Sequence, residues 1–231
     1  MTVDYISVPL GTLGILASIC RILSRNMTST VYPTVLSFSL GGALLLRSPW
    51  LGDIILDRWL YFLTDVHNIP DVAAHILVFV AMCAVVGYVA YAVEYPFILW
   101  PLHLIFGATS TVCISVFLST SAVRVETKNI VLLADMFAYN VLFSMAMCIT
   151  HLAMVSVLVY ALRKKVLPWM CALMLAGALS GLFMAVHRLA VAMVPSVRGF
   201  AYEPITWTLS LLCIGGYTVA VVGMSWAMRS R

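Results

Sequence analysis

The sequence predicts an all-α, polytopic membrane protein: one domain over 1–231 of seven transmembrane helices, with an interfacial helix between spans two and three. Three observations carry that expectation. Hydrophobic residues make up 63% of the chain and charged residues only 10%, against roughly a quarter charged in a typical globular domain. A water-soluble fold of this size has too much surface to cover with so few charges. Seven apolar segments approach the roughly 20 residues that a helix needs to cross hydrocarbon. The basic residues sit between those segments rather than in a continuous stripe, so the formal charge of +4 points to membrane surface and away from nucleic acid.

The segments run over 5–23, 29–46, 71–93, 97–119, 130–162, 167–194 and 205–228. The second is the weakest, because Gly41-Gly42 interrupts it and Arg47 ends it. The fifth exceeds what a span needs and is expected to tilt or to project beyond the membrane. The N-terminal Met1-Thr2-Val3-Asp4 lacks the basic region of a cleavable signal, so the first segment reads as a retained helix. All six cysteines fall within apolar runs without a CxxC spacing. They read as small buried hydrophobes, with neither a disulfide framework nor a metal site.

Orientation follows from the basic residues in short connections. Arg21, Arg25, Arg163, Lys164, Lys165, Arg229 and Arg231 share one side, and the tight turn Arg163-Lys164-Lys165 is its strongest marker. That side belongs in the cytoplasm, which leaves the N-terminus outside, the C-terminus inside, and the protein in the cell membrane. Asn26-Met27-Thr28 matches a glycosylation acceptor but falls on the cytoplasmic side. In the connection 48–69, Leu51, Ile54, Ile55, Trp59, Phe62 and Leu63 recur at helical spacing, with Asp53 and Asp57 on another side. This is the pattern of a helix lying in the interface, anchored by Trp50, Trp59 and Tyr61. Pro70 and Asp71 then open the third span, as helix N-termini prefer.

Ionisable residues inside spans are costly and so become candidates for function. Asp71, His75, Asp135 and Asn140 on spans three and five, and His187 and Arg188 on span six, all fall in the outer half at 1.5 Å of rise per residue. Gly177 and Gly181 form a small-xxx-small pair that favours close helix contact. Arg188 follows Gly181 by seven residues, so it should point toward neighbouring helices, with Asp135 and Asp71 as partners. The competing reading has Arg188 snorkel to the outer headgroups. Asp71 and His75 share a face at i, i+4, and a dipole-favouring acid beside an interfacial histidine is the plainer account of them. Glu94, His103 and His151 read as residues near the cytoplasmic face. Between the two layers the spans look apolar, which argues against an ion-coupled transporter.

No lysine occupies the last span, as a retinal Schiff base would require, and no histidine does, as the seven-helix zinc hydrolases require. No catalytic motif or cofactor signature appears, so an enzyme is the least supported class and neither a metal nor another cofactor is expected.

The stretch Arg47-Ser48-Pro49-Trp50, Asp57 and Asn68-Ile69-Pro70-Asp71-Val72-Ala73-Ala74-His75 resembles the membrane part of a family of actinobacterial seven-helix proteins. In that family an Arg-x-Pro segment, an acidic residue and an Asn-rich turn precede a third helix bearing a histidine. The resemblance covers about the first half of the chain, and the rest through helix count alone. Longer members continue into a cytoplasmic domain and are labelled transporters or regulators, so this chain resembles a short form. The favoured expectation is a membrane sensor or regulatory component. Its outward pocket would hold Asp71, His75, Asp135 and Arg188, and its output would pass to a separate cytoplasmic or membrane protein at Arg163, Lys164 and Lys165. The alternatives are a transporter or permease, homo-oligomeric or not, and a structural subunit of a membrane complex.

Overall fold

The computed structural model describes residues 3–23, 31–92, 99–126, 133–165, 168–194 and 202–229. Helix accounts for nearly all of them, and no strand occurs among them. The helices are α1 (Asp4–Leu23), α2 (Val31–Leu46), α3 (Arg58–Thr64), α4 (Ile69–Ala92), α5 (Leu99–Ser119), α6 (Phe137–Arg163), α7 (Pro168–Met193) and α8 (Tyr202–Arg229). A π-wound segment, Pro49–Asp57, leads directly into α3. Residues 29–30, 93, 97–98, 130–132 and 167 of the predicted segments, together with Arg25, Glu94, Arg231 and the Asn26 acceptor, lie outside the described residues.

Among the described residues, five helices are long and apolar enough to cross a membrane, and 31–46 and 103–119 are shorter apolar helices. The chain is therefore a membrane-embedded helical protein. Its surface agrees with that solvent. Large apolar side chains such as Leu16, Phe38, Leu104, Ile149, Leu152 and Phe183 point outward, while Ser7, Ser18, Ser37, Asn140, Ser144 and Thr218 are buried. Lipid makes this inversion inexpensive, because apolar side chains gain nothing by turning away from hydrocarbon.

Helix α1 packs on α2, α2 on α4, α4 on α5 and α6, α6 on α7, and α7 on α8, which closes back on α1 and α2. Small residues set the closest approaches. A Cβ at Gly177 would lie 2.9 Å from the Cys213 carbonyl oxygen, and one at Gly216 would lie 2.8 Å from that of Leu173, so α7 and α8 meet backbone to backbone. Gly41 does the same for α1 and α2: its Cβ would collide with the Gly11 carbonyl. The glycine pair that weakens the second segment as a hydrophobic run is thus what lets α2 dock.

One end of the bundle is tied by polar contacts. The Ser48 hydroxyl accepts from the Leu51 N–H at 3.2 Å and caps the π-wound segment, with Pro49 in its first turn. After α3, Asp65 and Asn68 take left-handed conformations (φ 58° and 60°) and turn the chain into α4. The Asn68 side-chain amide donates to the Ala122 and Val125 carbonyls at 2.7 and 2.8 Å, which fastens this turn to the end of α5. At the other end, Arg21 is buried and donates from Nη1 to the Val221 carbonyl at 2.9 Å.

The fifth predicted segment needs correction. Residue Leu133 is extended, Ala134–Met136 form a 3-10 turn, and the helix begins only at Phe137. The reason is local: the Asp135 carboxylate is engaged by the Ser121 N–H at 2.6 Å, across the α5–α6 connection, so it does not enter a helical turn.

The glycine contacts give a direct test. Gly177→Ala should force α7 from α8 and lower stability by about 1–3 kcal/mol, whereas Gly107→Ala, whose Cβ would meet nothing within 4 Å, should be neutral or mildly stabilising. Thermal unfolding in detergent distinguishes the two, and equal effects would refute the close-approach assignment.

Candidate functional site

Because successive long helices run in opposite directions, the end of α2, the start of α4, the start of α6, the end of α7 and the start of α8 come to the same end of the bundle. Each brings a polar side chain there. Arg47, one residue past α2, pairs with Asp71 in the first turn of α4, Nη1 to Oδ1 at 2.6 Å. One turn further along α4, His75 shares a hydrogen bond through Nδ1 with the Tyr139 hydroxyl of α6. Its ring packs 4.4 Å from that of Phe143. Arg188 of α7 places its guanidinium carbon 4.8 Å from the centre of the Phe143 ring.

Arg188 is only 4% exposed, and its Nε and Nη2 have no hydrogen-bond partner among the described residues. The contact with Phe143 is worth roughly 2 kcal/mol when desolvated, whereas burying a cation costs several kcal/mol even after relaxation. Asp71 is already matched by Arg47. Arg188 is therefore a buried guanidinium without an ion pair among the described residues, and its fork is left open.

The predicted candidates divide accordingly. Asp71, His75 and Arg188 come together. Asn140 is buried one turn before Phe143 without lining the same cavity, and His187 is half-buried on the neighbouring face of α7. Asp135 is exposed and holds Ser121, so it is not a partner of Arg188. Gly177 faces α8, whereas Gly181 faces α6, where the His151 ring occupies the space a Cβ would fill. Arg163, Lys164 and Lys165 lie at the opposite end, with Lys165 in a left-handed conformation (φ 57°) that closes α6.

His151 is a correction. It is 7% exposed and sits at the middle of α6, not near an end. The late start of α6 moves it there. Its Nδ1 lies 2.8 Å from the Met147 carbonyl and donates to it, leaving Nε2 as an acceptor 3.6 Å from the Cys213 Sγ of α8. The middle of the bundle is thus not purely apolar: His151, Cys213 and Tyr217 meet there beside Gly181. His103 is exposed on α5, with Nε2 3.4 Å from the Cys83 carbonyl.

Two cavities converge on the Arg47–Asp71 pair. An outer cleft of about 1020 Å³ is bordered by Asp4, Asp53, Asp57, Asp71 and Glu126, opposed by Arg47 and Arg58. An inner chamber of about 100 Å³ extends from Arg47, His75 and Arg188 to His151, Cys213 and Tyr217. Between those two polar groups its walls are mostly apolar, including Leu40, Leu44, Met82, Met147 and Ile214, with the hydroxyls of Thr150 and Ser210 among them. Arg47 and Trp207 line both spaces, so they form the partition. Among the described residues, no group of three His, Cys, Asp or Glu side chains could hold a metal.

The part of the site that eludes sequence reasoning is Arg47, which reads only as the end of the second segment. Its position directly after an apolar segment, followed by Ser-Pro, was the available signal: a side chain there can fold back over the helix end. No family model, no curated protein and no solved structure matches the chain.

Two outcomes follow. Asp71→Asn should leave Arg47 unmatched in a largely buried setting and destabilise the protein by about 3 kcal/mol. The double variant Arg47→Met with Asp71→Leu should recover much of that loss, and an additive double-mutant cycle would rule out the pairing. Separately, the Ser121 backbone N–H holds the Asp135 carboxyl below its ordinary range. A depressed carboxyl contributes stability that is complete above its unfolded value, near pH 4, and lost as pH falls through the folded one. Asp135→Asn should flatten that acid-side decline, and unchanged pH profiles would refute it.

Proposed function

We propose that the protein is an integral membrane sensor or regulatory component, with seven spans, whose inner chamber receives a small ligand from the outer side. In this reading α2 and α5 also span. The 16 residues of α2 cover about 24 Å, just short of a hydrocarbon core of about 30 Å, a mismatch that local bilayer thinning accommodates. The basic turn Arg163–Lys165 lies in the cytoplasm, which places the outer cleft and Asp4 outside. The segment 49–64 lies in the outer interface, because Trp50, Ile54, Trp59, Phe62 and Leu63 point away from the bundle while Gly52 and Asp57 face it.

The observation that carries the proposal is Arg188, a buried guanidinium without a counter-charge at the head of a chamber. A structural arginine would be matched, as Arg47 is. A ligand entering past Arg47 and Trp207 would bear on α2, α4, α6, α7 and α8 together, and α6 and α7 lead to the basic turn. Output then falls to a separate protein at Arg163, Lys164 and Lys165. Transport is the second reading, and the polar cluster at His151 in mid-bundle is what favours it: a path half-way through the protein already exists.

Access separates the two. In a chain with its native cysteines replaced, Ser210→Cys, which lines the chamber, should react with a membrane-impermeant thiol reagent from outside only. Arg47→Ala should accelerate the reaction. Lys164→Cys should react only from the cytoplasmic side. Reaction of Ser210→Cys from both sides would establish transport instead, and reaction from the cytoplasm alone would overturn the outward orientation.

A further inference from the structure

From the geometry of the inner chamber we infer that its ligand is a small monocarboxylate with a compact apolar tail, held head-first on Arg188. This deepens the sensor proposal and rests on its outward-opening chamber.

The two nitrogens of Arg188 without partners are Nε and Nη2. These share one edge of the guanidinium plane, and their N–H bonds point the same way. That edge is the fork which accepts both oxygens of a carboxylate at once. A buried fork with neither tooth occupied is an unusual feature for a helix interior, because an arginine placed for structure alone takes a carbonyl or a carboxylate, as Arg21 takes the Val221 carbonyl.

Charge limits the head group to one negative unit. Arg47 is engaged with Asp71 at 2.6 Å, so of the two arginines that line the chamber Arg188 is the one without an ion pair among the described residues. A phosphate monoester would bring a second negative charge close to the Asp71 carboxylate, and among the described residues the chamber is lined by no cation besides Arg47 and Arg188. A halide would satisfy the charge but leave the rest of the chamber empty.

Shape and polarity describe the tail. From Arg188 to Gly181, where His151 closes the chamber, α7 rises about 10 Å. Over that distance the walls are mostly apolar, with Leu40, Leu44, Met82, Met147 and Ile214 beside the Thr150 and Ser210 hydroxyls. The volume of about 100 Å³ sets about six carbons as the upper limit for the tail, since an apolar cavity of about 150 Å³ holds a benzene ring. Both a short fatty acid and an aryl acid fit this description. The unpaired Tyr217 hydroxyl at the far end offers a hydrogen bond to a tail that carries a polar tip.

The test uses the full chain in lipid nanodiscs, with thermal unfolding and calorimetric titration. The probes are hexanoate, benzoate, their amides, oleate, chloride and inorganic phosphate. Hexanoate or benzoate should stabilise saturably, and the matching amide should bind at least tenfold more weakly. Arg188→Lys keeps the charge but loses the fork, and should weaken the acid at least tenfold. Leu40→Phe fills the tail space without touching the fork and should abolish hexanoate binding, which keeps the test decisive if Arg188 variants fail to fold. Equal binding of acid and amide, an unchanged affinity in Arg188→Lys, preference for phosphate or chloride, or binding by oleate alone would each overturn the assignment. So would the absence of any carboxylate binding. If Ser210→Cys is nevertheless reached from outside, only the ligand class falls and the outward chamber stands. If it is not reached, both fall.

Discussion

In hydrocarbon, a polar side chain that cannot reach the headgroups must find its partners inside the bundle. That constraint organises the whole interior of this protein. Arg21 turns in to the Val221 carbonyl, Ser18 to the carbonyls of Gly14 and Thr34, His151 to that of Met147, and Asp71 to Arg47. Many large apolar side chains, such as Leu16, Ile149 and Phe183, face the other way. Among the buried polar groups that lack a hydrogen-bond partner, the Arg188 fork is the one that carries a charge at the head of a cavity.

Close helix contact makes the interior narrow enough for those pairs to form. Gly41 admits α1 against α2, and Gly177 with Gly216 joins α7 to α8. Gly181 has a different use: it leaves room for the His151 ring, and that ring forms the floor of the chamber. A single small-residue pattern on α7 thus produces a seam at one position and a pocket wall one turn later. Deleting a Cβ from a helix says only that something can approach. Which helix approaches is a property of the assembled ring.

The partition between cleft and chamber is built from the ends of helices, where backbone groups already need help. Ser48 caps the π-wound segment, Asn68 fastens the start of α4 to the end of α5, and Arg47 crosses to Asp71. The acidic rim of the cleft stands on one side of that partition and the Arg188 guanidinium on the other. Such an arrangement has a direction. It joins a wide, acid-rimmed space to a small and mostly apolar one across Arg47 and Trp207.

Helical class, the apolar segments and the cluster of Asp71, His75 and Arg188 near one end were readable from residue order, because hydrocarbon thickness and a constant rise per residue convert sequence position into depth. Even the inward face of Arg188 follows from its spacing to Gly181. Partner choice does not. Asp135 and Arg47 differ little by depth or charge count, yet one holds a loop amide and the other completes the site, since a 3-10 turn and a helix end aim them differently. The same turn delays α6 to Phe137 and carries His151 from the edge to mid-helix. Depth is a one-dimensional quantity that the chain encodes locally. Which side chains meet at a given depth depends on where each helix starts and how the ring closes, and those are decided by contacts between residues far apart in sequence.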